Sequence, residues 1–544
     1  MKIKYTLPAL FQDSVSRHQD QKALGFVGQK MLTYKEMNEN VYSLTAYLEK
    51  LGIKKGDKVA ILSSSIPNWG IAYLAIVSMG AVAVPILPDF SENEVKNILD
   101  HSEANLIFLS DKQRHKVDFS QLDRLQHILR MEDFSSVDSE TDVRYEAGEK
   151  PETIWEVHEE DLASVIYTSG TTGKSKGVML THKNIAYTAV KTQKIQQVTP
   201  EDRMLSILPL SHTYENTLGF ILPLICGASV YYLRKPPTPA VLLPALKEVQ
   251  PTLMLSVPLV IEKIYRNRIL PVFHKNRTIK FLYQIPPVRK LLNRAAGKKL
   301  MDTFGGELKF FGIGGAKLDR KVEKFLREAK FPYAIGYGLT ETSPLLAGCN
   351  AENTKLQSTG KVLEGVQLKI NNPDLQSGEG EIWAKGPNVM KGYYKEPELT
   401  REVFSDDGWF KTGDLGVFDN NNNLYIRGRL KNMIVGDSGE NIYPEDIESV
   451  INNFRHVVES IVIQKKGKLV ALVHLNRDEI EQRYKSLKGD FTNYLENKVE
   501  ELRAELHTYI NAHVNRFSQV QHVLIQNQPF EKTPTHKIKR FLYH

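Results

Sequence analysis

The run WGIAYLAIVSMGAVAVPILP, residues 69–88, sets the strongest limit on what this chain can fold into. An uncharged stretch of that length either crosses a bilayer or lies inside a protein core. Two glycines and two prolines interrupt it, and its end, VAVPILP, has the pattern of a β-strand. It reads as a buried helix followed by a buried strand, the unit from which layered α/β proteins are built. The same helix, glycine turn and strand recur in SLTAYLEKLGIKKGDKVAILSSS (43–65), and a helix followed by a strand recurs in VEKFLREAKFPYAIGYG (322–338). At 544 residues the chain exceeds one ordinary core, so two or more domains are expected.

The texture changes after residue 360. GKVLEGVQLKI, GEGEIWAKG and NNNLYIRGR read as short strands between Gly and Asn turns, a small β-rich subdomain. A break falls near 427–436. Beyond it PEDIESVINNF reads as a helix, ESIVIQKKGKLVALVHL as a hairpin, 477–515 as a long polar helix, and the rest as a loose basic tail. Together these make a separate α+β domain of ordinary size.

The two cysteines, Cys226 and Cys349, have no CxxC spacing, so neither a disulfide frame nor a zinc site is expected. The start, MKIKYTLPALFQDS, lacks the apolar core of a secretory signal. Both features point to a cytoplasmic protein. Net charge is +7, and the excess is local: from Lys263 to Lys299 there is no Asp or Glu, and basic residues alternate with apolar ones such as Phe281 and Leu282. One reading is a set of helices with solvated basic faces. The other is a surface for anionic lipid headgroups, peripheral to a membrane, or for an acidic carrier protein. Nucleic acid is not expected, because no helix-turn-helix, zinc or RNA-binding motif accompanies the charge.

YTSGTTGKSKGVML (167–180) looks like a phosphate loop. It is not a Walker A loop: the first glycine of G-x-x-x-x-G-K-[ST] would stand at 168, where the chain has Thr168. A Walker loop also leads from a strand into a helix. Here LASVIYT and GVMLT both read as strands, and helical periodicity begins only after Thr181, an N-cap. A Gly/Ser/Thr loop between strands can still wrap phosphates with N–H and hydroxyl donors, and Lys174 and Lys176 add charge.

Further clusters follow in order: the glycine turn GIGGA (312–316), YGLTETSP (337–344) with Thr340 and Glu341, DGWFKTGDLG (407–416) with Asp414, RGRLKNMI with Arg429, and KTPTHKIKRF with Lys537. Each is weak alone. In this order and with the 167–177 loop, the whole chain resembles the adenylate-forming acyl/aryl-CoA synthetases, most of all their long-chain fatty acid–CoA ligase branch.

That resemblance implies an N-terminal adenylation domain of residues 1–428, α/β, with two sheets, their helices and a β-barrel-like subdomain. It also implies a mobile α+β lid of 429–544 that turns about Lys431. The implied substrates and cofactors are a fatty acid, ATP, Mg²⁺ and coenzyme A. Thr168, Ser169, Gly170, Thr171, Thr172, Gly173 and Lys176 match the loop that closes on the β- and γ-phosphates; Ser175 stands where the family often has Pro. Gly315, Ala316, Tyr337 and Gly338 match the segments around the adenine. Glu341 matches the magnesium ligand and Thr340 its phosphate-binding neighbour. Asp414 matches the ribose-binding carboxylate and Arg429 a nucleotide-holding arginine. Lys537 matches the lysine of the adenylation step, with His536 in place of the family's glycine. Gly439, in GDSGENIYP (436–444), matches the loop that lines the pantetheine tunnel in the second step. His212 and Tyr214, in LPLSHTYE, match the wall beside the substrate carboxylate, and the form with Glu215 is like the long-chain branch.

The implied reaction is acyl-CoA formation through an acyl adenylate on medium- to long-chain fatty acids. Alternatives are transfer to an acyl carrier protein, an aryl or other carboxylate as substrate, a luciferase-type oxygenase that keeps the first half-reaction, and a non-catalytic nucleotide-binding scaffold. Glu341, Asp414, Arg429 and Lys537 argue against the last.

Overall fold

The computed structural model describes every residue except 1–2, 119, 121, 123, 138–142, 170–174, 437–439, 466, 485–490, 534–536 and 544. The chain divides into two compact units. One comprises Met1–Lys369, Trp383–Thr412 and Phe418–Tyr425; the other comprises Ile370–Ile382, Gly413–Val417 and Ile426–His544.

Two seven-stranded sheets make up the first unit's framework. One has the spatial order Tyr333–Ile335, Phe310–Ile313, Leu253–Ser256, Arg203–Ser206, Ser229–Tyr232, Lys22–Phe26, Leu32–Thr33, and all its pairs are parallel but the last. The other runs Gly392–Tyr393, Ser175–Thr181, Leu162–Ser169, Val82–Ile86, Lys58–Leu62, Leu106–Leu109, His127–Arg130. Its first two pairs are antiparallel and the rest parallel.

The opening apolar run becomes the helix Pro67–Ser78 and the central strand Val82–Ile86. The helix is buried from Trp69 to Val77 because it contacts strands of both sheets, Lys22–Phe26 on one side and Lys58–Leu62 with Val82–Ile86 on the other. A helix covered on every side has no face for charge, which explains the absence of charge from 69 to 88. Trp69 stacks on Tyr73 at 5.3 Å, both meet Phe220 edge-on, and the Tyr73 hydroxyl bonds Ser164 Oγ at 3.0 Å. Each large apolar side chain so buried contributes about 1.5–3 kcal/mol.

The β-rich region after 337 consists of two open sheets rather than a closed barrel. One has three strands, Tyr337–Gly338, Leu345–Gly348 and Lys361–Val362; the other has four, Gln367–Asn371, Gly380–Lys385, Phe410–Phe418 and Leu424–Arg429. In the second unit the expected hairpin is Val457–Lys465 with Lys468–Leu475, and the helices Pro444–Ile451 and Phe491–His513 cover it around Ile447, Val473, Leu502 and Leu506. The tail is more ordered than its sequence suggests: His522–Gln526 adds a third strand, parallel to Lys468–Leu475. The long polar helix is described as two segments, Arg477–Tyr484 and Phe491–His513. No helix among the described residues is long and apolar enough to cross a membrane.

Candidate active site

The strands Leu162–Ser169 and Ser175–Thr181 pair antiparallel, with Thr168 opposite Lys176 and Ser169 opposite Ser175. The strand before segment 170–174 therefore pairs with the strand after it, whereas a Walker loop leads from a strand into a helix. The helix His182–Thr192 starts where expected: Thr181 Oγ1 accepts from Asn184 N–H and Asn184 Oδ1 accepts from Thr181 N–H. Gly170, Thr171, Thr172 and Gly173 lie outside the described residues, as does Gly439.

The hairpin's outer edge carries the short strand Gly392–Tyr393, with Tyr393 opposite Val178. That pairing sets the Tyr393 ring 5.4 Å from Lys176 Nζ, a cation–π contact. The Tyr393 hydroxyl donates to Glu341 Oε1 at 2.9 Å. A continuous path, Lys176–Tyr393–Glu341, thus joins the hairpin to the Thr340–Glu341 turn. Nothing in the sequence marks Tyr393: it is one tyrosine of KGYYKEP, and its role depends on an edge pairing with a strand more than two hundred residues earlier.

The Thr340–Thr342 turn is pinned from several directions. Leu339 N–H donates to Thr342 Oγ1 at 3.0 Å, and that hydroxyl donates to the Pro344 carbonyl at 2.6 Å. Asn388 Nδ2 donates to the carbonyls of Thr342 and Leu345 at 3.0 and 2.9 Å, and Met390 N–H donates to the Glu341 carbonyl at 2.8 Å. Glu341 is held by its backbone, so its half-buried side chain is the adjustable part.

The remaining first-unit candidates follow the carboxyl ends of parallel strands of one sheet, where ligands of open α/β sheets bind. Gly315 and Ala316 follow Phe310–Ile313 and are exposed; Tyr337 and Gly338 follow Tyr333–Ile335; His212 and Tyr214 follow Arg203–Ser206. Tyr214 lies over the glycine turn: a Cβ on Gly314 would stand 3.2 Å from its ring. His212 Nδ1 accepts from Tyr214 N–H at 3.2 Å, which places the proton of a neutral imidazole on Nε2.

Glu215 begins a π-helical segment, Glu215–Ile221, and is 1% exposed. Gly219 makes room for its carboxyl, which a Cβ there would approach to 2.6 Å. Ser206 Oγ donates to Oε1 at 2.5 Å, while Oε2 has no hydrogen-bond partner among the described residues. Burial pushes this carboxyl up to about 8 against the opposing hydrogen bond from Ser206, so it keeps its proton at neutral pH. An unfolded chain loses that proton near 4.5. The native state therefore binds protons more tightly between the two values, and the stability this group contributes, complete below 4.5, is lost as pH rises through 8. Glu215→Gln stays neutral throughout. It is expected to flatten the fall in unfolding free energy across this window, a fall of about 1.4 kcal/mol per pH unit from this group in the wild type. Denaturant unfolding of both proteins at the two ends of the window checks this, and parallel pH curves would refute it.

In the second unit Asp414 and Arg429 come from adjacent strands and pair, Arg429 Nε to Asp414 Oδ1 at 2.8 Å. The carboxylate is 8% exposed and the guanidinium 46%. Lys431 lies in the turn Leu430–Asn432 that follows. Lys537 is exposed and its backbone is tied to Thr533: its N–H donates to Thr533 Oγ1 at 3.2 Å and its carbonyl accepts from Thr533 N–H at 2.7 Å, with Lys532 bridged to Ile538.

No cluster of three or more His, Cys, Asp or Glu suited to a metal occurs among the described residues. A magnesium ion held by a nucleotide's phosphates needs only one or two protein carboxylates. Glu341, half-buried on a fixed backbone with one oxygen engaged by Tyr393, fits that donor set.

Of known protein families, the one described as AMP-binding enzyme matches residues 11–394. Among characterised proteins the chain is similar to long chain acyl-CoA synthetase 1 of Arabidopsis thaliana, 30% identical over 96% of this chain and 87% of that one. It is 27% identical to fatty acyl-CoA synthetase A of Dictyostelium discoideum, over 94% of this chain and 84% of that one. It is also 27% identical to a chloroplastic long-chain-fatty-acid–[acyl-carrier-protein] ligase of A. thaliana, over 94% and 80%. Among solved structures, ATP-bound MatB from Rhodopseudomonas palustris superposes with a TM-score of 0.79 over 99% of this chain and 98% of that one, at 23% identity.

Proposed function

We infer the reaction from one premise: the chain belongs to the AMP-binding enzyme family, among the adenylate-forming fatty acyl-CoA ligases. ATP and CoA are the substrates that fit this family. The proposed acid is a medium- to long-chain fatty acid. The observation that carries the reading is the path Lys176–Tyr393–Glu341, which links the phosphate-loop hairpin to the acidic turn.

A fatty acid carboxylate is a poor acyl donor, because its leaving group would be oxide. In the proposed first step a carboxylate oxygen attacks the α-phosphorus of ATP and pyrophosphate departs. In the second, the CoA sulfur attacks the acyl carbon, AMP departs, and the thiol proton passes to solvent. Negative charge on the phosphoryl oxygens must be met by cations and donors already in place. Mg²⁺, where bound by Glu341 and the phosphates, supplies part of that charge. In our reading Lys176 and the 168–173 loop grip the β- and γ-phosphates, and Thr340 offers a hydroxyl beside them. Gly315, Ala316, Tyr337 and Gly338 surround the adenine. His212 offers its Nε2–H to the substrate carboxylate. Asp414 accepts from both ribose hydroxyls, a bidentate use of an ionised acceptor, and Arg429 holds the nucleotide beside it. Lys537 places its ammonium by the reacting oxygens, with Lys431 as the pivot between half-reactions.

A carrier-protein thiol is the second reading, favoured by the likeness to the acyl-carrier-protein ligase. Mass spectrometry of products from ATP, Mg²⁺, a ladder of fatty acids and either CoA or holo acyl carrier protein decides between them. Acyl-CoA peaking at long chains is expected. An apolar pocket separates neighbours in the ladder by about 1–3 kcal/mol per methylene, roughly 10–200-fold, so a peak should be resolved. Acyl carrier product alone moves the function to the second reading, and no AMP from any acid overturns both.

A further inference from the structure

The acid-free stretch of the sequence folds in the first unit as Pro258–Ile264, Tyr265–Ile269, Leu270–Phe273, Arg277–Gln284 and Pro286–Thr303. The helix Arg277–Gln284 is unusual. Half its residues are apolar or aromatic, yet none is buried. Phe281 is 65% exposed, Leu282 38% and the following Ile285 37%. On a helix these three share one side with Arg277, and Lys275 and Lys280 flank them, exposed.

The helix is nevertheless anchored. Asn276 caps it, with Oδ1 accepting from Ile279 N–H at 2.8 Å. Tyr283, on the opposite side, stacks on Phe273 at 4.5 Å and donates to Asn293 Oδ1 at 2.9 Å. On the helix Pro286–Thr303, Leu291 is 67% exposed and shares its outward face with Arg294 and Lys298, at i, i+3 and i+7.

One acid, Asp302, stands exposed one turn beyond Lys298 on Pro286–Thr303, and two others that pair with this region are held elsewhere. Glu328 is engaged inward, by Arg289 at 2.9 Å and by Asn293 Nδ2 at 2.7 Å. Glu262 accepts from Asp319 N–H at 2.9 Å and lies 3.6 Å from Arg266. Lys263–Met301 contains no acid of its own.

We propose that the outward face of Arg277–Gln284 and Pro286–Thr303 docks on a bilayer surface of anionic lipids. Phe281, Leu282, Ile285 and Leu291 enter the boundary between headgroups and acyl chains. Lys275, Arg277, Lys280, Arg294 and Lys298 meet the lipid phosphates. A lipid surface suits the pattern better than a protein partner does. The apolar side chains form a small cluster, Phe281, Leu282 and Ile285, with Leu291 on the next helix. Long basic side chains can lay their stems along apolar surface while their heads stay in water. Each apolar side chain can enter lipid by itself, and the charge requires only a negative plane, not a shaped recess.

The test is sedimentation of the full chain with vesicles of phosphatidylcholine alone and of phosphatidylcholine mixed with phosphatidylserine. Binding is expected only to the mixed vesicles, and it should weaken as salt is raised. The triple variant Lys280→Glu, Arg294→Glu, Lys298→Glu should lower the partition coefficient about a hundredfold. The double variant Phe281→Ser, Leu291→Ser should lower it about tenfold or more at fixed charge. All five side chains lie outside the proposed catalytic machinery, so pyrophosphate release measured without vesicles should match the wild type and report intact folding. Equal binding to both vesicle compositions, or none to either, overturns the proposal. So does binding to holo acyl carrier protein, lost in the charge variant, with no vesicle binding.

Discussion

Lys537→Ala is expected to slow acyl-adenylate formation by about 10²–10³-fold while leaving the transfer step almost untouched. The two half-reactions need different groups. Attack on the α-phosphorus builds negative charge that an ammonium can meet, whereas thiol attack on an acyl adenylate builds it on the acyl oxygen. The chain at Lys537 is fixed by two hydrogen bonds to Thr533, made through the Lys537 N–H and carbonyl. Truncating the side chain therefore leaves those two bonds in place. Pyrophosphate exchange measures the first half-reaction, and consumption of supplied acyl adenylate with CoA measures the second. Equal losses in both assays would refute the role. Lys537→Arg keeps the charge but spreads it over a planar fork, so it should restore only part of the first step.

Gly338→Ala should lower stability by about 1–3 kcal/mol and abolish nucleotide binding at concentrations that saturate the wild type. A Cβ at 338 would lie 1.8 Å from the Pro344 carbonyl oxygen, 2.7 Å from its carbon and 3.1 Å from Leu345 Cα. All three are backbone atoms, so no side chain can rotate out of the way. The loop could open instead, but Thr342 Oγ1 ties it from within and Asn388 ties it from outside. Relief must therefore disturb Thr340 and Glu341. Gly336→Ala is the control. Its nearest neighbour would be Leu345 Cδ1 at 3.2 Å, the far end of a flexible side chain, and a small effect is expected. Denaturant midpoints and calorimetric titration with ATP check both variants. A Gly338→Ala protein with wild-type stability and affinity would show that the turn is not rigid.

Local signals survived folding well. The apolar run, the strand–loop–strand around 162–181 and the Thr181 cap were legible because each depends on neighbours within a few residues. Tyr393 and the strand His522–Gln526 were not, because pairings with distant strands define them. The burial of Glu215 was not legible either, since a glutamate is ordinarily at the surface. What buries it is a π-helical turn and the missing side chain of Gly219, neither of which leaves a periodic trace. The β-rich region read correctly as short strands, but its division into two open sheets depends on pairings that local sequence does not encode.

If Asp414 takes the ribose as proposed, the sugar meets a carboxylate that already holds Arg429 on one oxygen. Each carboxylate oxygen has two acceptor sites, so a sugar that takes both oxygens either shares one of them with the guanidinium or displaces it. Where the guanidinium moves off that oxygen to hold the nucleotide, the affinity is a difference between two liaisons, with the carboxylate as its tethered alternative partner. Added salt loosens that ion pair while also screening the triphosphate's attraction to cations. The two influences oppose each other. Nucleotide affinity should accordingly vary less with ionic strength than the triphosphate's charge alone would dictate.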